Sequence, residues 1–113
     1  MDRIVASLEG RGIEVFARVD HAAGARGAGL ELADEQLLIF GDPRVGTVLM
    51  QADAEIGYEL PLRVLVWDHG GETRIGYRPA EELASNYAVA ERAEVLARMH
   101  GLLDAIVAES IAA

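Results

Sequence analysis

Four groups of residues have types and spacings that suit chemistry. Asp20 and His21 are adjacent where an alternating segment passes into a helix-forming one. A carboxylate beside an imidazole of ordinary pKa near about 6.5 suits general acid or base work at neutrality. The plainer reading is that Asp20 caps the helix and His21 fills the turn, because neighbours in a helix do not face each other. In Gly41-Asp42-Pro43-Arg44-Val45-Gly46-Thr47, a glycine-containing loop opens a helix and offers free N–H groups to an anion. Against that, Asp42 would occupy the cap, Pro43 lacks a donor, and the spacing is neither G-x-G-x-x-G nor a Walker loop. Gly41, Asp42, Gly46 and Thr47 therefore stand as candidate ligand-binding positions beside a cap-and-turn reading. Trp67 and Tyr77, with Met50 and Tyr58, could line an apolar small-molecule pocket or simply build the core. His100 falls where a Leu is expected on the last apolar stripe, so it is either a hydrogen-bonded core or contact histidine or, with His21, a thin case for a metal pair.

The composition removes several classes of chemistry. The chain has no cysteine, which excludes disulfides, thiolate zinc sites, iron–sulfur clusters and a thiol nucleophile. It also has no lysine: all ten basic residues are Arg, so Schiff-base chemistry and the P-loop lysine are absent. No Ser sits in a G-x-S-x-G elbow, and no H-x-x-x-H or H-E-x-x-H spacing occurs. With 19 acids the formal charge is −9, a field opposite to the one nucleic-acid binding requires. The Arg residues are scattered rather than clustered, which also speaks against anionic lipid. No apolar run approaches the ~20 residues of a membrane span, and the amino-terminal residues carry an acid and lack a signal-peptide apolar stretch. The expected location is the cytoplasm, with no cofactor.

The elements that must position these residues follow from periodicity. Ile4, Val5 and Leu8 form a helical stripe, with Asp2 as its cap and Gly10 or Gly12 at its end. Ile13, Val15, Ala17 and Val19 alternate, which predicts a strand with all four on one half-buried face. A short helix from His21 to about Arg26 and an interior strand from Gln36 to Phe40 come next. Asp42-Pro43 starts a helix to about Asp53, with Val45, Val48 and Leu49 facing inward. Strands Leu62 to Trp67 and Thr73 to Tyr77 flank a hairpin loop with two glycines, and Pro79 precedes a short acidic helix. The last helix runs from about Ala88 to Ala112, its stripe reading Val89, Ala93, Leu96, His100, Leu103, Val107 and Ile111. At 113 residues, this is one α+β domain over 1–113.

Three stretches carry a resemblance. Arg18-Val19-Asp20-His21-Ala22-Ala23 resembles a hydrophobic-Asp-His-Ala-Ala motif, and Phe40-Gly41-Asp42-Pro43 with Gly46 resembles a Phe-Gly-Asn/Asp-Pro motif with a later Gly. Leu60-Pro61 followed by the apolar strand to Trp67 resembles a third block. In this order, over about Ile4 to Tyr87, they resemble the bacterial and archaeal family called domain of unknown function 302. The resemblance implies a small mixed sheet of four to five strands packed by helices, related to the β-α-β4-α arrangement of the TATA-binding protein, and commonly a dimer. It implies no activity, and a shared fold with a DNA-binding protein carries no function by itself. The family pattern often places a strand before the first helix, whereas this sequence begins almost at that helix. An uncovered sheet edge invites pairing, so a homodimer is expected. The sequence reading is thus a homodimeric ligand- or partner-binding module without catalysis. The alternative is an enzyme using His21, with Asp20 or Asp42, as general acid or base or as a metal ligand.

Overall fold

The computed structural model describes residues 1–111, so the expected helix end at Ala112 lies outside the described residues. Helix α1 (Asp2–Gly10) leads to strand β1 (Glu14–Asp20), helix α2 (His21–Gly27), strand β2 (Glu35–Gly41) and helix α3 (Pro43–Ala52). A 3₁₀ turn (Ala54–Tyr58), the hairpin β3 (Leu62–His69) and β4 (Glu72–Gly76), the short helix α4 (Ala80–Ala84), a second 3₁₀ turn (Ala90–Arg92) and the long helix α5 (Ala93–Ile111) complete the order. The four strands form one sheet in sequence order, and every neighbouring pair is antiparallel. The sheet is therefore not mixed in direction, because each connection returns the chain along the adjacent strand.

Local chemistry explains the breaks. Asp20 caps α2 by accepting the Ala23 N–H at 2.9 Å, and Asp42 caps α3 by accepting the Arg44 N–H at 3.0 Å, with Pro43 at the first helical position. Helix α1 starts differently from the sequence reading. Met1 is its cap without a side-chain bond, and Asp2 lies in the first turn, where it meets the positive end of the helix dipole. In the β3–β4 turn Gly70 and Gly71 both take positive φ, +61° and +88°, as a two-residue hairpin of the primed class requires. Asp68 Oδ1 accepts the Gly71 N–H there at 2.8 Å.

Helices α1, α4 and α5 cover one face of the sheet. Ile4 and Leu8 of α1, Leu38 and Phe40 of β2, Leu62 and Val64 of β3, and Leu103 and Ile106 of α5 are buried together. The two ends of the described chain are tied beside this core: Arg3 Nη1 donates to the Ser110 carbonyl at 3.3 Å, and Ser7 and Arg11 both donate to the Glu109 carboxylate. The Ser7 hydroxyl and then Arg11 hold the Glu109 carboxyl below the usual carboxylate range.

Two expectations about packing are corrected. Ile13, Val15, Ala17 and Val19 do not share a face, because a bulge between Val15 and Ala17 shifts the register: Val15 pairs with Phe40, and Ala17 with Ile39. One extra residue flips every side chain beyond it. Ile13 and Val15 thus pack against the core while Val19 stands on the opposite face, 38% exposed. On α5 the buried arc is Val95, Leu96, Met99, Leu103, Ile106 and Ser110, so His100 and Val107 sit at its margin and Ile111 is 69% exposed. Leu96 and Leu103 of the expected stripe are buried, and the count from Val89 fails at Ala93, which is exposed after the tighter 3₁₀ turn at Ala90–Arg92.

The face of the sheet away from α5 carries Val19, Leu37, Ile39, Leu65 and Trp67, and none of them packs against the core cluster. Their rows are set by the pairing: Glu35 lies opposite Trp67, Leu37 opposite Leu65, and Ile39 opposite Arg63.

Candidate functional site

The candidate residues fall into three places. Gly41, Asp42, Gly46 and Thr47 converge on a cavity of about 370 Å³ between the start of α3, the Leu60–Leu62 segment and α5. That size lies within the range of roughly 300–1,000 Å³ typical of small-molecule sites. Met50, Pro61, Met99, Leu102 and Phe16 are among the apolar residues of its wall, and Arg98 stands on it as well. Trp67 and Tyr77 instead border a second cavity of about 410 Å³ with Leu65, Arg63, Glu59 and Arg78. His21 and Asp20 line neither cavity.

In the first cavity two glycines make the room. A Cβ at Gly41 would meet Pro61 Cβ at 3.5 Å and Phe16 Cε2 at 3.7 Å, and one at Gly46 would meet Leu60 Cδ1 at 3.7 Å and Met50 Cε at 3.8 Å. A methyl group fits at either position, and a longer side chain would enter the cavity. Asp42 is not a free acid or base here. Its carboxylate accepts the Arg44 N–H, Arg44 Nε at 3.2 Å and Arg44 Nη2 at 3.2 Å. The Arg44 side chain first, and then its backbone N–H, hold the Asp42 carboxyl below the usual range. The bound carboxylate also fills the amino-terminal end of α3, so the anion-binding loop suggested by the sequence is a cap-and-turn.

His21 is exposed at the first position of α2, and the neighbouring Asp20 carboxylate points to the Ala23 amide. The two are a cap and its neighbour, as the plainer reading of the sequence has it. Among the described residues no three His, Asp or Glu side chains converge to hold a metal ion, and His21 and His100 are not brought to a common site. His69 is exposed beside the hairpin turn.

His100 belongs to a polar cluster that the sequence reading missed. Its Nε2 lies 3.2 Å from Asp104 Oδ2, one helical turn on, and its Nδ1 lies 3.5 Å from Glu81 Oε2 without hydrogen-bond geometry. The other Asp104 oxygen accepts the Tyr77 hydroxyl. The i, i+4 spacing of His100 and Asp104 on a helix was the available signal. The hydrogen bond to Asp104 above all, with burial next, raises the Tyr77 hydroxyl above its ordinary pKa. The phenol is therefore held protonated, which suits a structural donor and not a proton-transfer group. A raised folded-state value stabilises the fold below the ordinary tyrosine value and is lost as pH rises through the folded one. Tyr77→Phe is expected to cost up to about 1 kcal/mol at neutral pH and to flatten the alkaline loss of stability above pH about 10. Urea melts at the two pH values check this, and unchanged alkaline behaviour in the variant would contradict it.

The sequence profile described as "Domain of unknown function DUF302" matches residues 1–106. The chain belongs to the DUF302 family. The crystal structure of an uncharacterized conserved DUF302 protein from Bacillus stearothermophilus superposes with a TM-score of 0.87 at 21% identity, over 96% of this DUF302 chain and 86% of that one. At that identity the likeness shows the fold alone. The protein named fluoride-specific ion channel FluC 1 of Brucella suis biovar 1 (strain 1330) is 50% identical over 70 residues, 62% of this chain and 28% of that protein. FluC 1 of Brucella abortus biovar 1 (strain 9-941) and FluC 2 of Brucella melitensis biotype 1 match equally over 70 residues, 26% of each. This DUF302 chain thus spans about a quarter of the length of the curated relatives it matches. Among its described residues no helix is long and apolar enough to cross a membrane.

Proposed function

We propose that this DUF302 domain is a binding module that takes a small, apolar-bodied molecule in the cavity between α3 and α5. The observation that carries this reading is the convergence of Gly41, Asp42, Gly46 and Thr47 on one largely apolar cavity, with two glycines holding it open. No acid or base on the wall is free for catalysis, because Asp42 is engaged by Arg44. The test is an NMR titration with 1-octanol, a neutral apolar probe. Shifts centred on Gly46, Met50 and Met99 are expected, and no shift at these residues removes the reading.

The module is further proposed to pair with a second copy through the open sheet face. Support comes from the order of charge along that face. Arg63 and Trp67 lie two residues to either side of Leu65 on β3, and Arg63 makes no ion pair among the described residues. A two-fold axis in the plane of the sheet, crossing the Leu37–Leu65 row, would set Trp67 against Arg63 of the partner subunit. Sheets stacked at about 10 Å allow that cation–π contact. Sedimentation velocity at micromolar concentration is expected to give twice the chain mass, and Leu65→Asp half of that value with unchanged circular dichroism. A monomeric wild-type chain ends the pairing proposal.

A second reading is supported by the 50% identity to a stretch of the Brucella fluoride-specific ion channels, namely that the module works beside such a channel. Fluoride efflux from liposomes holding one of these channels, with the purified domain added, tests it. An efflux rate that the domain leaves unchanged overturns it.

A further inference from the structure

We infer that the ligand of the α3–α5 cavity is a small organic anion, a carboxylate with an unbranched apolar body, and that Arg98 holds its head group. The inference rests on the binding reading above and adds the chemical class of the ligand to it. Two charged side chains stand on the cavity wall, Asp42 and Arg98. The negative one is already used: Asp42 is locked onto Arg44 and its N–H, so a cationic ligand would have to displace an arginine. The positive one is unused. Arg11, Arg18, Arg44, Arg74 and Arg78 each pair with a carboxylate, whereas Arg98 makes no ion pair or side-chain hydrogen bond among the described residues. Arg26, Arg63 and Arg92 also make no ion pair among the described residues, and of these four arginines Arg98 is the one that stands on the wall of the α3–α5 cavity.

The arrangement along α5 separates the two halves of such a ligand. Met99 is 6% exposed and faces the cavity, while Arg98, one residue earlier, is exposed. The boundary between apolar wall and water therefore passes between adjacent residues, with room for a body at Met99 and a charged head at Arg98. The thioethers of Met50 and Met99 adapt to a flexible chain, and the guanidinium fork donates two parallel N–H bonds to a carboxylate. The negative field of the whole chain is screened beyond about 8 Å at physiological salt, which leaves the local guanidinium to decide the sign of the ligand.

The test compares octanoate with 1-octanol, and their hexyl and decyl homologues, by NMR titration of the wild-type chain and of Arg98→Gln at physiological salt. Arg98 is exposed, and superposition of the two apo spectra checks that the variant keeps the fold. Octanoate is expected to bind about tenfold more tightly than octanol to the wild-type chain. Arg98→Gln is expected to abolish that preference. Equal or weaker binding of the carboxylates, or a preference that survives Arg98→Gln, overturns the anion assignment while the apolar binding reading stands. Absence of shifts at Gly46, Met50 and Met99 with every probe overturns both.

Discussion

Phe40→Ala is expected to be the most damaging single truncation in the chain, lowering stability by about 3–5 kcal/mol. Phe40 is fully buried and the largest of the completely enclosed side chains. It lies on β2, flanked by Leu62 of β3 on one side and Val15 of β1 on the other, so its ring joins three strands to the helices above them. Truncation loses the transfer free energy of the ring and also leaves a void that the neighbouring backbones cannot close, since hydrogen-bonded strands hold their spacing. A domain of this size has roughly 5–15 kcal/mol of stability, so the variant would keep little margin at ambient temperature. Urea denaturation gives the value directly. A loss below about 1 kcal/mol would show that the core around β2 repacks around the void.

The second large effect concerns binding and separates it from stability. Gly46→Leu is expected to weaken binding of 1-octanol by about 100-fold, roughly 2.7 kcal/mol, because the added side chain enters the space that the glycine keeps open beside Leu60 and Met50. Gly46→Ala serves as the control. Its methyl group makes ordinary contacts at 3.7 and 3.8 Å, and Ala within a helix is favoured over Gly by about 0.5–1 kcal/mol. The alanine variant should therefore melt at or above the wild-type temperature and still bind. If Gly46→Leu binds the probe as the wild type does, the ligand sits elsewhere. The second cavity, beside Trp67 and Tyr77, then becomes the place to look.

Features set by local chemistry were legible in the sequence. Asp20, and Asp42 followed by Pro43, marked the starts of α2 and α3 because a short acid, with or without a proline after it, has one common structural use there. Gly70-Gly71 marked the hairpin for a similar reason. The Gly41–Thr47 stretch, read as a candidate ligand position, lines the α3–α5 cavity, although the wall opposite it was not legible. Arg98, Met99 and Leu102 come from a helix some fifty residues later, and nothing in their own periodicity points to α3.

The misread positions on β1 come from a local change of phase that composition does not reveal. The bulge after Val15 turns Val19 from the core face to the open face, yet Phe16 looks no different from a regular strand residue. On α5 the buried arc centres on Leu96, Met99 and Leu103, so His100 lies at its margin, in reach of Asp104 on the same helix and of Glu81.

Trp67 is the sole tryptophan of the chain, and its ring lies so close to Gly76 that a Cβ there would come within 3.1 Å of Cζ3. Excited selectively, above the absorption of its three tyrosines, the protein therefore reports from one indole, half-buried on the open sheet face and about 17 Å along β3 from Leu62 at the edge of the α3–α5 cavity. Its emission colour registers dehydration of that face and is blind at short range to the cavity. An unlabelled sample can thus distinguish contact between two sheets from the filling of a pocket at the far end of the same strand.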